Sequence, residues 1–90
     1  MRKCVEKFAE LMEKKLEKND YKGGWSGEDI DYLFRRLGGE ASELKMAIDL
    51  LSYCSSKQCS HAMIKECENH VREECADVAN FAMMIAETVE

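Results

Sequence analysis

The chain has 90 residues, a net charge of −5 and no proline, and 46% of its residues are apolar while 34% are charged. A chain of this length forms one small domain, and this composition indicates an all-helical protein and excludes a strand-based fold. Its basic residues are scattered, which argues against a nucleic-acid backbone as the main partner. A free nucleotide is still compatible with a net charge of −5, because a bound metal ion can neutralise part of the negative charge of the nucleotide.

No apolar run is long enough to span a bilayer, and the residues from Met1 to Cys4 do not begin a signal-peptide pattern. We therefore expect a cytoplasmic protein without a membrane partner. The five cysteines are an odd number, and Cys4, Cys67 and Cys75 fall on or near apolar helix faces. We expect free thiols that pack as small hydrophobic side chains, and no disulfide framework.

The first predicted helix runs from about residue 2 to 18, and its apolar face consists of Val5, Phe8, Met12 and Leu16. A glycine-rich loop follows, and it contains Trp25, the only tryptophan. Ser26 and Asp29 are spaced as a capping box at the start of the second helix, which we expect to run to about Ser52. Gly38-Gly39 lies in the middle of that helix, where two glycines predict a bend or a close approach of the backbone.

A polar connector at 53–60 leads into a third predicted helix, which runs from about His61 to near the end of the chain. A chain of this size buries only about 60% of the surface that it exposes when unfolded, so small helical chains often gain a core by associating. We therefore predict an all-α fold. Residues 1–90 form one domain, a three-helix protomer with antiparallel helices, which makes a helical bundle across a homodimer.

Two short stretches of the sequence resemble each other: Glu40-Ala-Ser-Glu43-Leu44 and Glu74-Cys-Ala-Asp77-Val78. The predicted aliphatic stripes are Ile30, Leu33, Leu37, Leu44, Ile48 and Leu51 in the second helix and Ile64, Cys67, Val71, Val78, Ala82, Ile85 and Val89 in the third. On a helical wheel, Glu40 and Glu74 lie about 40° from the centre of their stripes, and Glu43 and Asp77 lie about 100° away at the edge. Other acid pairs with the same spacing fall on the solvated sides of their helices: Glu10/Glu13, Glu17/Asp20, Glu28/Asp31 and Glu87/Glu90. Only the two repeated motifs point inward.

An ionised carboxylate in an apolar contact costs several kcal/mol unless it is paired, protonated or bound to a cation. If the two helices are antiparallel, the four acids can converge on one place. Hard oxygen ligands suit Mg²⁺, and Mn²⁺ would also fit. We therefore predict that the metal-binding and catalytic residues are Glu40, Glu43, Glu74 and Asp77. The expected chemistry is attack of an activated water on a phosphate, with a remaining carboxylate as base.

Other side chains are candidates for ligand contacts. Trp25 in its glycine-flanked loop is interpreted equally well as a base-stacking lid or as a residue of a protein interface. Phe81 follows Asp77 by one turn, and core burial is its more common role, while Asn80 beside it is placed on a more exposed face. The bases that can reach a bound phosphate are Arg35, Arg36, Lys45, Lys65 and Arg72, although most are expected to be solvated.

A zinc site is a weaker alternative. Its ligands would come from Cys54, Cys59, His61, Cys67 and His70. These spacings fit no compact zinc finger, and Cys67 faces the apolar stripe.

The segment from Leu37 to Leu44, followed by Glu73-Glu74-Cys-Ala-Asp77-Val78, resembles the ExxE…ExxD signature of the MazG-like all-α nucleoside triphosphate pyrophosphohydrolases. The resemblance covers about residues 25–89. It implies Mg²⁺-dependent hydrolysis of an NTP or dNTP, often a noncanonical one, to the monophosphate and pyrophosphate, by a homodimer or a dimer of dimers. Many members have an additional acid where this chain has Gly39.

Carried over by position, the resemblance implies that the four acids bind the metal and that Asn80 or Phe81 lines the nucleotide pocket, while Trp25 matches only loosely. Phosphoribosyl-ATP pyrophosphohydrolases of the same superfamily have similar length and acid spacing, so that substrate is an alternative. A second hypothesis, from another class, is a noncatalytic helical interaction or regulatory module with a structural metal or charge-pair site.

Overall fold

A computed structural model describes residues 1–90, with the exception of the Tyr21 side chain. It contains three helices: α1 (Lys3–Glu17), α2 (Ile30–Ser56) and α3 (His61–Thr88), with one 3₁₀ turn at Asp20–Lys22 between α1 and α2. No strand occurs in the described residues. The predicted all-α, three-helix protomer is therefore confirmed.

The start of α2 differs from the predicted capping box. Asp29 itself is the N-cap, and its side chain accepts a hydrogen bond of 3.3 Å from the backbone N–H of Asp31. Ser26 lies in the turn before it, next to Gly27, whose φ of 85° favours glycine. The helix consequently begins at Ile30, because the chain is still turning at the position where a Ser26 cap would have started it.

The end of α2 lies one turn beyond the predicted Ser52. Gln58 has a φ of 54°. The N–H of Cys59 donates to the carbonyl of Cys54 at 3.0 Å, and the N–H of Gln58 donates to the carbonyl of Ser55 at 3.3 Å. This pair of bonds is a Schellman cap. The connector to α3 is therefore only residues 57–60, and the Ser60 hydroxyl caps α3 by accepting from the N–H of Met63.

The helices α2 and α3 form an antiparallel hairpin, because Cys54 meets Cys67 near the connector while Glu40 meets Asp77 further along. Buried and half-buried residues alternate at spacings of four and three along each helix, as in a coiled coil. In α2 they are Leu33, Leu37, Glu40, Leu44, Ala47, Leu51 and Cys54. In α3 the residues with this spacing are Ile64, Cys67, Val71, Glu74, Val78, Phe81 and Ile85, and α3 also buries residues off this seam, among them Ala76 and Asn80. Glu40 and Glu74 thus lie on the contact seam itself.

This seam corrects the predicted aliphatic stripes. Ala47 is buried, whereas Ile48, which was placed in the stripe, is 42% exposed. Val89 is 66% exposed and Ala82 is also exposed, whereas Phe81 is half-buried. The predicted stripes were drawn through the larger aliphatic side chains. Two helices that pack closely, however, have small side chains where their axes approach each other.

Helix α1 packs against α3 on the side that faces away from the hairpin seam. Among the described residues, none of α1 is fully buried, and Phe8, Leu11, Met12 and Leu16 are half-buried. The amide of Asn80 ties the two helices by donating to the carbonyl of Met12 at 3.1 Å. No helix in the described residues is long and apolar enough to cross a membrane.

Helix α2 continues through Gly38 and Gly39 without a break. No described atom lies within 4 Å of the position that a Cβ would take at either residue. The predicted close approach of the backbone is therefore not made within this protomer.

Leu33 is the largest side chain that is completely buried. We expect Leu33→Ala to lower the free energy of unfolding by about 2–5 kcal/mol, since it removes buried methyl groups and leaves a cavity. Val89→Ala, on a side chain that is 66% exposed, should change it by less than about 0.5 kcal/mol. Denaturant unfolding of both variants measures the difference, and equal losses would contradict the assigned core.

Candidate metal centre and adjoining cavity

The two helices of the hairpin each supply one acid motif to the same place. Oxygen atoms of Glu40, Glu74 and Asp77 all lie within 4.8 Å of one another. Glu40 comes from the middle of α2, and the other two acids come from the middle of α3. The antiparallel arrangement thus brings together three of the four acids that the sequence analysis singled out.

Glu43 has a different position from the other three acids. Its residue is exposed, and it lies outside the group of three converging oxygens. Its charge nevertheless contributes to raising the pKa of both Glu40 and Glu74. Glu43 therefore stands at the solvent side of the cluster.

Two oxygens of the cluster lack partners. Glu40 Oε2 and Glu74 Oε2 are buried and have no hydrogen-bond partner among the described residues. The side chains that carry them are only 15% and 12% exposed. A buried carboxylate oxygen without a donor is costly, and a divalent cation with oxygen ligands would satisfy both.

One basic side chain approaches each of the three acids. The distances are 3.5 Å from Lys15 Nζ to Asp77 Oδ2, 3.5 Å from Arg36 to Glu40 Oε1, and 3.7 Å from His70 Nε2 to Glu74 Oε1. All three exceed the usual length of a charge-assisted hydrogen bond, which is about 2.7–2.9 Å. The bases therefore lower the repulsion among the acids, but they do not make short hydrogen bonds with the acid oxygens.

Burial and mutual repulsion shift the ionisation of the two seam acids. The pKa of Glu40 is raised, first by burial, then by the hydrogen bond with Glu43 and by the negative charge of its neighbours. The pKa of Glu74 is also raised by burial and by Asp77 and Glu43, against the opposing effect of His70 and Lys15. Both carboxylates therefore hold protons more readily than ordinary glutamates do in the absence of a cation.

A cavity of about 650 Å³ opens beside the cluster, between the end of α1, the loop that follows it and the hairpin. Glu40 and Asp77 line it, and so do the three predicted ligand-contact residues Trp25, Asn80 and Phe81. The Arg36 guanidinium also lines it and stands over the Phe81 ring, 5.1 Å from the ring centroid, in a cation–π contact. The acids, the aromatic rings and a fixed cation thus share one cavity.

The structure corrects the placement of Asn80. The sequence analysis put it on a more exposed face, but it is only 4% exposed, and its Oδ1 is buried with no partner among the described residues. The error arose because the helical wheel of α3 was read for a single apolar face. In the structure α3 is covered on two sides, by α2 and by α1, and Asn80 lies on the α1 side.

Of the five bases suggested for phosphate binding, Arg36 lies in the cavity. Lys45 instead pairs with Asp49 at 2.7 Å on the solvated side of α2, and Arg72 donates to Asn69 at 2.8 Å. Arg35 and Lys65 are exposed. The sequence did not predict that Lys15 lies beside Asp77, and it offered His70 only as a zinc ligand and not as the neighbour of Glu74. The position of His70, four residues before Glu74, repeats that of Arg36 before Glu40, and this shared i, i+4 spacing was a usable signal.

The weaker zinc alternative finds no support in the geometry. Among the described residues, the acid cluster is the only group of three or more acidic, His or Cys side chains whose ligand atoms lie close enough to share an ion. Cys54 and Cys67 do adjoin each other, but His61 and His70 are exposed residues that do not join them.

Comparison with known proteins adds no relative: no family model, no curated protein and no solved structure matches this chain. Inference about its function therefore depends on the geometry of the cluster and its cavity.

The raised pKa of Glu40 predicts how pH affects the metal-free protein. The folded state holds more protons than the unfolded state between the ordinary pKa of 4.5 and the raised value, so stability falls as pH rises through that window and stays lower at neutral pH. In the presence of a chelator, we expect Glu40→Gln to melt at a higher temperature than the wild type at neutral pH. This advantage should shrink below about pH 4.5.

The matched control is Glu68→Gln, on an exposed residue of the same helix as Glu74. It removes the same charge from the chain without touching the cluster, so its melting temperature should follow the wild type at every pH. A Glu40→Gln protein that is less stable than the wild type at neutral pH would contradict the assigned repulsion.

Proposed function

We propose that this protein is a Mg²⁺-dependent nucleoside triphosphate pyrophosphohydrolase, which converts an NTP or dNTP, including noncanonical ones, to the monophosphate and pyrophosphate. The observation that carries the proposal is the convergence of three carboxylates, two of them with unpartnered buried oxygens, at the edge of a cavity lined by aromatic rings. The resemblance of the two acid motifs to the MazG-like signature supports the same reaction.

The donor set fits the proposed ion. Glu40, Glu74 and Asp77 offer only carboxylate oxygens, which Mg²⁺ and Mn²⁺ prefer, and Glu43 is near enough to complete the set from the solvent side. Bound Mg²⁺ supplies neutralisation of charge on the phosphoryl oxygens and activation of the attacking water. Three acids and a triphosphate would otherwise repel each other.

The remaining residues of the cavity divide the work of substrate binding. Arg36 and Lys15 already face the acids, so each can turn to a phosphate oxygen when a cation takes its carboxylate partner. Trp25 and Phe81 offer faces on which a base can stack, and the unpartnered Oδ1 of Asn80 offers an acceptor. A carboxylate of the four acids that does not bind the ion is the proposed base for a water directed at the α,β linkage.

A noncatalytic module is the second candidate, and one observation favours it. Each of the three acids already has a basic neighbour, so the cluster could act as a charge network that only fixes the helices. This candidate predicts that acid-to-amide changes leave any protein partner bound. Phosphoribosyl-ATP, the substrate of the related pyrophosphohydrolases, is tested within the first proposal as one member of the substrate panel.

The decisive measurement is pyrophosphate release from a panel of canonical and modified nucleotides with Mg²⁺. We expect Glu40→Gln to lower kcat/KM by at least about 100-fold, since even outer partners of metal ligands contribute about 10- to 100-fold. Glu68→Gln is the control and should keep wild-type activity, because its residue is exposed and away from the cluster.

Two results would contradict the enzyme. One is the absence of a metal-dependent product with every nucleotide, and the other is unchanged activity of Glu40→Gln. Thermal melts separate the second candidate, because a melting shift that requires Mg²⁺ and nucleotide together supports the cavity as a substrate site. A shift with Mg²⁺ alone supports a structural ion.

We also propose that the protein is a homodimer, alone or paired into a tetramer, and that it is cytoplasmic. What supports association is the outer surface of α2, where Met46 is 69% exposed, Leu50 49% and Tyr53 59%. Met46 and Tyr53 are seven residues apart and therefore share a helix face, to which Gly39 also belongs. Monomeric proteins rarely leave several large apolar side chains together in water.

Sedimentation at increasing protein concentration tests this association. We expect Met46→Asp to shift the protein toward the monomer, since a charge would be buried in the contact. Asn69→Asp, on the exposed polar side of α3, adds the same charge and should leave the association unchanged. A wild-type protein that stays monomeric at every concentration would overturn the homodimer.

A further inference from the structure

Three of the five cysteines lie together at the closed end of the α2–α3 hairpin, far along the helices from the acid cluster. Cys54 of α2 and Cys67 of α3 are both buried and face each other across the seam, with their Sγ atoms 3.8 Å apart. Cys59, in the connector, is half-buried, and its backbone N–H donates to the carbonyl of Cys54 at 3.0 Å. Cys54 therefore stands between a buried thiol and a partly solvent-accessible one.

Ordinary helix capping explains only part of this arrangement. A Schellman cap commonly brings the side chains at the positions of Cys54 and Cys59 into contact, so their proximity needs no other reason. Cys67 has no part in that cap, and it lies thirteen residues from Cys54 in the chain. Closing a disulfide of about 2.05 Å requires the two sulfurs to move less than 2 Å closer, which is within reach of side-chain rotation.

We propose that Cys54 and Cys67 form a reversible disulfide that joins α2 to α3, and that Cys59 is the thiol that reacts first with the oxidant. The oxidant is a low-molecular-weight disulfide such as glutathione disulfide. This modification site does not depend on the proposed activity, because it uses none of the residues of the acid cluster or its cavity.

The reaction balances in three exchanges, each in-line attack of a thiolate on a disulfide sulfur. The Cys59 thiolate attacks glutathione disulfide, giving a mixed disulfide and releasing one glutathione. Cys54 then attacks the Cys59 sulfur, which releases the second glutathione and forms the Cys54–Cys59 bond. Cys67 finally attacks the Cys54 sulfur, which forms the Cys54–Cys67 bond and returns Cys59 as a thiol. The two protein thiols are oxidised, and one glutathione disulfide is reduced to two glutathiones.

The order of these steps follows from access. Cys54 and Cys67 are only 4% and 8% exposed, so an oxidant in solution meets Cys59 first. The neighbouring Cys54 side chain raises the pKa of the Cys59 thiol, which makes its thiolate scarce at neutral pH. The experiment is therefore run at mildly alkaline pH.

The full-length chain is incubated with glutathione disulfide, alkylated and digested with trypsin for mass spectrometry. The sequence suits this test because Lys45, Lys57, Lys65 and Arg72 separate the three cysteines into peptides 46–57, 58–65 and 66–72. We expect peptide 46–57 linked to 66–72, and a higher melting temperature for the oxidised protein that a reductant reverses. A final product that links 46–57 to 58–65, or no link at all, would overturn the proposal.

Variants separate the two roles. Cys59→Ser should give the same Cys54–Cys67 product several-fold more slowly, and an unchanged rate would overturn the role of Cys59. Cys67→Ala should stop the reaction at the Cys54–Cys59 bond, which keeps the proposal testable without altering Cys54. The control is Cys4→Ser, on an exposed cysteine of α1, which should form the Cys54–Cys67 bond at the wild-type rate.

Discussion

The burial of two carboxylates on the seam between α2 and α3 is the constraint on which the rest of this structure depends. Glu40 and Glu74 take positions that a coiled-coil repeat normally reserves for apolar side chains. A leucine at either position would be stabilised by its apolar neighbours, whereas an ionised carboxylate loses its hydration when it is buried there. These two buried charges therefore destabilise the centre of the hairpin, and the neighbouring bases or a bound cation would offset that cost.

Three basic side chains reduce the repulsion among the clustered acids. Arg36 and His70 precede their acids by one turn on the same helix, whereas Lys15 reaches Asp77 from α1. Besides the packing of its half-buried apolar side chains on α3, α1 is attached near the site by the ion pair of Lys15 with Asp77 and by the bond from Asn80 to the carbonyl of Met12. The same contacts that place α1 against α3 thus also form one wall of the cavity.

The acid cluster and the bases of the cavity act in opposite ways on an anionic substrate. Converging carboxylates repel an anionic substrate, while Arg36 and Lys15 attract one, and a divalent cation shared by the acids would remove the conflict. The stack of Arg36 on Phe81 keeps that guanidinium at the cavity wall even if Glu40 turns toward a cation. This combination of an acid cluster, basic side chains and aromatic rings in one cavity is why we propose hydrolysis of a nucleotide.

Much of this organisation was predictable from the residues. The apolar periodicity placed three helices, and the wheel positions of Glu40 and Glu74 separated them from other acid pairs, because a 3.6-residue repeat and the cost of burying charge are local rules. The Asp29 cap at the start of α2 and the extension of α2 to Ser56 were not predicted, since each depends on which of several competing turns the chain adopts. The position of the acids in the site is thus well anticipated, but the helix ends are not.

What the sequence determined by itself is the set of helices, the inward direction of the two seam acids and the hardness of their oxygen ligands. Only the tertiary structure decided that Asn80 is buried, that Lys15 comes from α1 to Asp77, that Arg36 covers Phe81, and that Cys54 meets Cys67. The physical reason is that helix periodicity assigns each side chain a direction from its own axis. Which neighbouring helix lies in that direction depends on packing among all three helices.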